Sequence, residues 1–377
     1  TLTVTWTIDA TDLQDDTVVA YEDIAIRKNF YTNVSVAEHK ILTDEGQSVR
    51  FPEIGTTAAD SETKIDITKA DGDATVIDTI EFRNLVAGVQ YVAKGWMVDA
   101  ETGDVMLDDN GAPIEAQRMF VPEDNDGTVD VTFRFQAETL EGRTGVFYEE
   151  VYYNGVLVAD HKEQSDTNQD IHFPMIRTEA LDSETGDHAS NADGSITVTD
   201  TISYWNLPKH EYVATGTLYN ADTGEAYTDA NGNPITASTT FTPKEPDGTV
   251  EVVFDFDGTG KDPSTFTVFE NVTLNGVSVA EHSELADENQ QIRIPAVGTT
   301  AIDSDTELAM SYADGTVTIE DTVTTTNILE GRNYKIKGIV MDQATGQPML
   351  DASGNQITSE ISFTAENRNE THQVDFS

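Results

Sequence analysis

The 377-residue chain has no cysteine. Small secreted β domains usually take their covalent reinforcement from disulfides, so any staple in this protein has to come from other side chains. Basic residues are scarce: 21 Lys and Arg stand against 69 Asp and Glu, giving a formal charge of −48. Phosphate recognition needs clustered Lys and Arg. None cluster here, so nucleic acid is not an expected partner. Such a charge keeps a chain soluble and opposes close self-association at low salt, a repulsion that high salt screens. No apolar run is long enough to span a membrane. Signal peptide, starting Met and C-terminal anchor motif are all unrecognisable, which makes a trimmed piece of a longer protein the expectation. Trp6, Trp96 and Trp205 are scattered and build no sugar-stacking platform. Asp71–Thr75, Asn191–Ser195 and Asp124–Thr128 carry carboxylates at calcium-like spacing, but none completes an EF-hand loop with its late Glu. They read as acidic β-turns, and no metal or cofactor is expected.

What the chain does contain is a repeat. TVDVTFRFQAETLEGRT at Thr128 realigns with TLTVTWTIDATDLQDDT at Thr1, and the stretch from Thr249 realigns with that from Thr128. ETGDVMLDDNGAPI, DTGEAYTDANGNPI and ATGQPMLDASGNQI carry one hairpin three times. The period of roughly 122 residues lies in the ordinary domain range and is too long for most solenoids. Segments such as TVEVVFDF and SITVTDTISY alternate apolar and polar residues with period two, as half-buried strands do. Asn110–Gly111, Asn231–Gly232 and Ser353–Gly354 mark hairpin turns. An internal glycine recurs at Gly95, Gly216 and Gly338, signalling a bulge or a close backbone approach. No stretch has helical periodicity. The expected fold is all-β: tandem immunoglobulin-like β-sandwiches in an elongated array. The prolines Pro52, Pro174 and Pro295 suit edge or linker positions. They divide the chain into a C-terminal part of a unit at 1–53, complete units at 54–174 and 175–295, and an N-terminal part of a unit at 296–377.

Polar residues recur inside that frame. His39, His161 and His282 are each followed eight residues later by a glutamine, Gln47, Gln169 and Gln290. Upstream of each His stands an aromatic–Glu pair ending in Glu22, Glu149 or Glu270. After each linker proline comes a threonine, Thr56, Thr178 or Thr299, and twenty-two residues later an aspartate, Asp78, Asp200 or Asp321. Each complete unit therefore holds an ordered set of Thr, Asp, Glu, His and Gln, with Thr on its first strand and Gln at its last. Taken singly, each residue has a plain role: Thr fills strand positions, and the others suit turns, edges or solvent faces. Their joint recurrence is what points to shared chemistry.

With VAYE, VFYE and TVFE, the H-x7-Q segments and the DTI/DTV strands, nearly the whole chain resembles the T–Q ester-bond domains, or VaFE repeats, of Gram-positive surface adhesins. The resemblance implies that the Thr hydroxyl attacks the Gln amide, ammonia leaves, and an intramolecular ester joins the first and last strands. Carried over, the cross-links are Thr56–Gln169 and Thr178–Gln290. The chemistry suits the residue types. A Thr hydroxyl needs a base, a role His161 and His282 suit near neutral pH. Asp78 with Glu149, and Asp200 with Glu270, would share a proton if buried together and stabilise the oxyanion. Such a reaction runs once and is not turnover. One departure is the stretch from Glu22 to His39, which is longer than its counterparts and leaves the geometry of the first site open.

Three functions compete. A cross-linked stalk on a cell surface, anchored through a region outside this chain, is the leading one. A repeated glycan- or protein-binding module whose weak sites add avidity is the second. A Thr–His–acid hydrolase comes last because it leaves Gln without a role. The expected partners are neighbouring repeats of the same protein. Glu22, His39 and Gln47 lack a Thr and Asp, while Thr299 and Asp321 lack the other three. Head-to-tail copies joined by a Thr299–Gln47 ester are therefore a further alternative.

Overall fold

A computed structural model describes residues 2–191, 194–313 and 315–376. Among them the regular structure is strand plus three single-turn 3-10 segments, and no helix is long and apolar enough to cross a membrane. The all-β class expected from the alternation is the class observed. In the first complete unit, Glu53–Asp60, Ala74–Arg83 and Gly127–Phe135 form one antiparallel sheet in that order. The facing sheet runs Val156–His161, Thr144–Tyr153, Tyr91–Asp99, Glu115–Phe120, with Asp170–His172 pairing the start of Thr144–Tyr153. The second complete unit repeats this with Met175–Asp182, Ser195–Trp205 and Gly248–Asp257 facing Val277–His282, Ser264–Leu274, Tyr212–Asn220 and Thr236–Phe241. Gln291–Ile294 closes it as Asp170–His172 closes the first.

The period-two pattern does what the pleat requires. In Glu53–Asp60 and Ala74–Arg83 every second side chain is buried, so a one-residue slip would turn the whole apolar set to solvent and the register is strongly specified. Each complete unit closes around its own core, with Ile80, Phe133 and Phe147 in the first and Ile202, Phe254 and Phe266 in the second. The chain ends are different. Residues 296–377 keep the three-stranded sheet Ala296–Asp303, Ile319–Thr326, Glu370–Phe376, but their buried core is Val323, Val374 and Phe376. At the other end, Trp6 and Ile8 are exposed.

Much of the acidic composition closes turns. Asp60, Asp182 and Asp303, at the ends of the first strands, each accept two backbone N–H bonds and a hydroxyl from Thr68, Ser190 or Ser311. Asp108, Asp229 and Asp351 cap the three recurrent hairpins in the same way. Gly111, Gly232 and Gly354 take the positive φ that those turns need. The N–H donors hold the Asp229 and Asp351 carboxyls below their ordinary range, led by the backbone amides of Asn233 and Asn355.

The internal glycines mark a close approach and not a bulge. Gly95 lies in regular pairing opposite Glu149, and Gly216 opposite Glu270. A Cβ on Gly95 would stand 2.7 Å from Cζ of Phe133, whose ring comes from the facing sheet and packs on Phe147 at 4.3 Å. Phe254 covers Gly216 and Phe376 covers Gly338 in the same way. Overpacking a filled core costs about 1–3 kcal/mol. Gly95→Ala should therefore lower the denaturant midpoint of its unit, whereas Gly55→Ala, with nothing within 4 Å of its Cβ, should not.

Candidate cross-linking site

The register aims four polar side chains at one buried spot. Ala58 pairs with Asp78 and Ala180 with Asp200, so the inward-facing Thr56 and Thr178, two residues earlier, lie diagonal to the aspartates on the same face. Glu149 and Glu270 point inward from the facing sheet. Gln169 and Gln290 arrive on a tight turn, their N–H groups donating at 3.0 Å to the carbonyls of Asp166 and Asp287. Thr, Asp, Glu and Gln are all buried in both complete units. No group of three or more metal-ligating side chains occurs among the described residues.

Hydrogen bonding within the site is directional but incomplete. Thr56 Oγ1 donates to Glu149 Oε2 at 3.1 Å, and Thr178 Oγ1 to Glu270 Oε2 at 3.1 Å. Gln290 Nε2 donates to Asp200 Oδ1 at 3.3 Å. Left without a partner are both Asp78 carboxyl oxygens, Glu149 Oε1, both polar atoms of the Gln169 amide, Asp200 Oδ2, Glu270 Oε1 and Gln290 Oε1. A buried polar atom without a partner costs about 1–3 kcal/mol, and here such atoms gather in two places. A site like that is arranged for something other than static packing.

Two carboxyls in one dry site cannot both ionise. Burial raises Asp78 and Asp200, each to about 6. Burial, and then the facing Asp, raise Glu149 to about 11 and Glu270 to about 10. Each pair therefore holds one proton at neutral pH, shared between its members. That shared proton gives one oxygen of each carboxyl a partner.

The histidines sit directly opposite the glutamates across the ladder, His161 to Glu149 and His282 to Glu270. They are not bonded to the threonines. His161 Nε2 meets Asp166 Oδ2 at 2.9 Å and His282 Nε2 meets Asp287 Oδ2 at 2.8 Å, while the hydroxyl proton points at the glutamate. Reading the sequence missed these aspartates, although Asp44, Asp166 and Asp287 each stand five residues after a His and three before a Gln. The same carboxylate caps the turn, accepting at Oδ1 from the N–H of Asn168 or Asn289. One side chain thus orients both the imidazole and the glutamine.

The end units hold separate parts of the same constellation. Glu22 faces His39 as in the complete units, and the extra residues of that hairpin are taken up by register shifts beyond the site and by an exposed tip at Phe30–Tyr31. His39 Nε2 meets Asp44 Oδ2 at 2.6 Å. With its nitrogen turned toward Glu22, the Gln47 amide donates to both carboxylate oxygens at 3.0 and 3.1 Å. Gln47 also lines an open apolar groove with Trp6, Ile8, Tyr21 and Val49. At the other end, Ala301 pairs with Asp321 as Ala58 does with Asp78. Thr299 is exposed there and Asp321 half-buried, one carboxyl oxygen of Asp321 having no partner.

A carboxyl whose folded pKa is raised stabilises the fold fully below its unfolded pKa and loses that contribution as pH rises through the folded one. For Glu270 this window runs from 4.5 to about 10. In a chain that cannot cross-link its second unit, Thr178→Ala, the denaturant midpoint of that unit should fall as pH rises across the window. Adding Glu270→Gln, neutral at every pH, should flatten the fall. An equal slope in both variants would contradict a shared buried proton.

The T-Q ester bond containing domain matches at residues 1–51, 52–173, 174–294 and 295–377, which together span the chain. Among solved structures, a bacterial adhesin from Mobiluncus mulieris containing intramolecular disulfide, isopeptide and ester bond cross-links is 16% identical. That match covers 67% of this chain and 88% of that one, at a TM-score of 0.27. A structure described as BspA_C_WT is 10% identical and covers 63% of this chain and 99% of its own, at a TM-score of 0.28. No curated protein matches. These structural overlaps carry no weight in the assignment, which rests on the family match across all four segments: the chain belongs to the T-Q ester bond domain family, as a tandem array of that domain.

Proposed function

We propose that the chain is a stalk segment of a cell-surface adhesin, and that each complete unit joins its own first and last strands by an ester, Thr56–Gln169 and Thr178–Gln290. The observation that carries this reading is the repeated gathering of a buried Thr hydroxyl, a Gln amide and a carboxyl pair, several of whose polar atoms have no other partner.

The hydrogen bonds suggest how the atoms move. Oγ1 of Thr178 attacks Cδ of Gln290 while its proton passes to Oε2 of Glu270, the atom it already faces, as Glu270 hands its own proton from Oε1 to Asp200. The tetrahedral adduct collapses with loss of the amide nitrogen, which faces Asp200. The proton shared by the carboxyl pair reaches that nitrogen through Asp200, and ammonia departs. Hydroxyl plus amide become ester plus ammonia, with no oxidant or cofactor. His282, opposite Glu270 and oriented by Asp287, borders the pair. Both reactants are consumed, so each site acts once and the protein is not an enzyme in the turnover sense.

The mechanical consequence follows from connectivity. Tension enters a unit on the strand holding Thr and leaves just after Gln. An ester between them shunts the load past the intervening hundred or so residues, and it also constrains the unfolded chain as a disulfide does, independently of redox conditions. Extension of such an array under load would stop at the folded units.

Intact mass tests the chemistry. The full chain should weigh less than its sequence by two ammonia molecules, and Thr178→Ala should restore one of them. A mass equal to that of the unmodified sequence would sink the cross-link reading.

A further inference from the structure

Every boundary between successive units is bridged by the same side chain. The second strand of each three-stranded sheet is followed at once by an asparagine, Asn84, Asn206 or Asn327, with φ of 59°, 55° and 65°. Its backbone is satisfied within its own unit, since the N–H groups donate to Asp126 Oδ1, Asp247 Oδ1 and Asn369 Oδ1. Its side chain reaches into the preceding unit. Nδ2 donates to the carbonyls of Asp16, Arg143 and Ser264 at 2.7, 2.5 and 2.6 Å. Oδ1 accepts from the next residue in each case, the hydroxyl of Thr17, Thr144 or Thr265, at 3.1, 3.0 and 3.3 Å. A second contact with the preceding unit completes each clasp: Arg50 to Asn84 Oδ1 at 2.8 Å, Nδ1 of His172 to Asn206 Oδ1 at 2.8 Å, and Asn327 Nδ2 to the Ile294 carbonyl at 3.1 Å, while Arg368 of Asn327's own unit donates to its Oδ1 at 2.7 Å.

A positive φ alone does not explain the choice of residue, because glycine meets that need at less steric cost. Asparagine stands at all three positions, and both ends of its amide are used by the neighbouring unit. The surroundings reinforce the contact. The links between flanking strands are only Phe51–Pro52, Phe173–Pro174 and Pro295, and proline stiffens each. At the Pro174 joint, Ile67 of the first unit is fully buried in the apolar core of the second. At the Pro295 joint, the corresponding turn offers Asp187 to both Nε and Nη2 of Arg332, and Arg293 pairs with Glu330 at 2.6 Å.

We infer that Asn84, Asn206 and Asn327 are the keys of a specific docking interface between successive repeats, which holds each unit in one orientation to the one before it. The partner surface is the segment leading toward Glu22, Glu149 or Glu270, together with the strand following Gln47, Gln169 or Gln290. The interface stands on hydrogen bonds and packing that exist whether or not the esters form, so it can fail or hold independently of the cross-link reading.

Because the chain lacks cysteine, Arg134→Cys and Glu251→Cys place spin labels on exposed strand positions of the two complete units without background. Electron–electron distance measurement across the Pro174 joint should give one narrow distribution in this labelled parent. Asn206→Gly keeps the backbone conformation and removes the amide. It should abolish the narrow distribution while the ammonia losses by mass stay as in the parent. An unchanged distribution would overturn the inference. Should Asn206→Gly disturb the folding of its own unit, Thr144→Val with His172→Phe removes both Oδ1 donors while leaving Asn206 in place. Loss of the narrow distribution there supports the clasp, and its persistence rejects it.

Discussion

Two carboxyl groups brought into one water-free site can keep only one negative charge between them, and the arrangement of each complete unit serves to create and hold that situation. Asp78 and Glu149 come from different sheets, so they meet only when the sandwich closes. Closure depends in turn on Gly95, whose missing side chain lets Phe133 settle opposite the glutamate. The same pairing puts Asp200 and Glu270 together through Gly216 and Phe254. Burial makes one carboxyl an acid and leaves the other able to accept a proton, a division of labour that neither residue type has in water. The threonine hydroxyl and the glutamine amide then face groups of opposite duty.

The acidity of the chain acquires a structural meaning from the turns. Aspartates close the hairpins and the ends of the first strands by taking backbone N–H bonds, a use of carboxylate that needs no cationic partner. Asp166 and Asp287 put this local habit to work at the site, capping the turn that delivers the glutamine while orienting the histidine. Turn formation and site assembly are therefore one event. Along the chain, load would run from the strand with Thr, through the site, to the residues just after Gln, and then across a two-residue link at which an asparagine grips the preceding unit. Stiff units on loose joints would bend freely, and the clasps oppose that.

Recurrence made part of this legible in advance. Thr56, Asp78, Glu149, His161 and Gln169 stood out because a polar set repeated at near-constant spacing, and the alternation in Glu53–Asp60 and its neighbours announced the sheets. Gly95 was visible as a recurrent glycine, but a one-dimensional pattern could not separate a bulge from a close approach, since the ring that demands it arrives from Phe133, far along the chain. Asp166 and Asn206 escaped notice for the opposite reason. Asp in an acidic turn and Asn before Leu are ordinary local residues, and their second partners, an imidazole and a neighbouring unit, appear only after folding. The assignment of the hydroxyl's immediate acceptor also changed hands. Residue chemistry favours histidine as base, whereas strand register turns His161 toward Asp166 and puts Glu149 next to Thr56.

By itself the sequence determined the all-β class, the repeat, and which side chains recur together, because those properties are written in local periodicity and spacing. Tertiary structure alone decided which atom faces which, that the carboxyls are dry enough to share a proton, and how one unit grips the next. Those depend on burial and on contacts between residues a hundred positions apart, and desolvation has no counterpart along a chain still open to water.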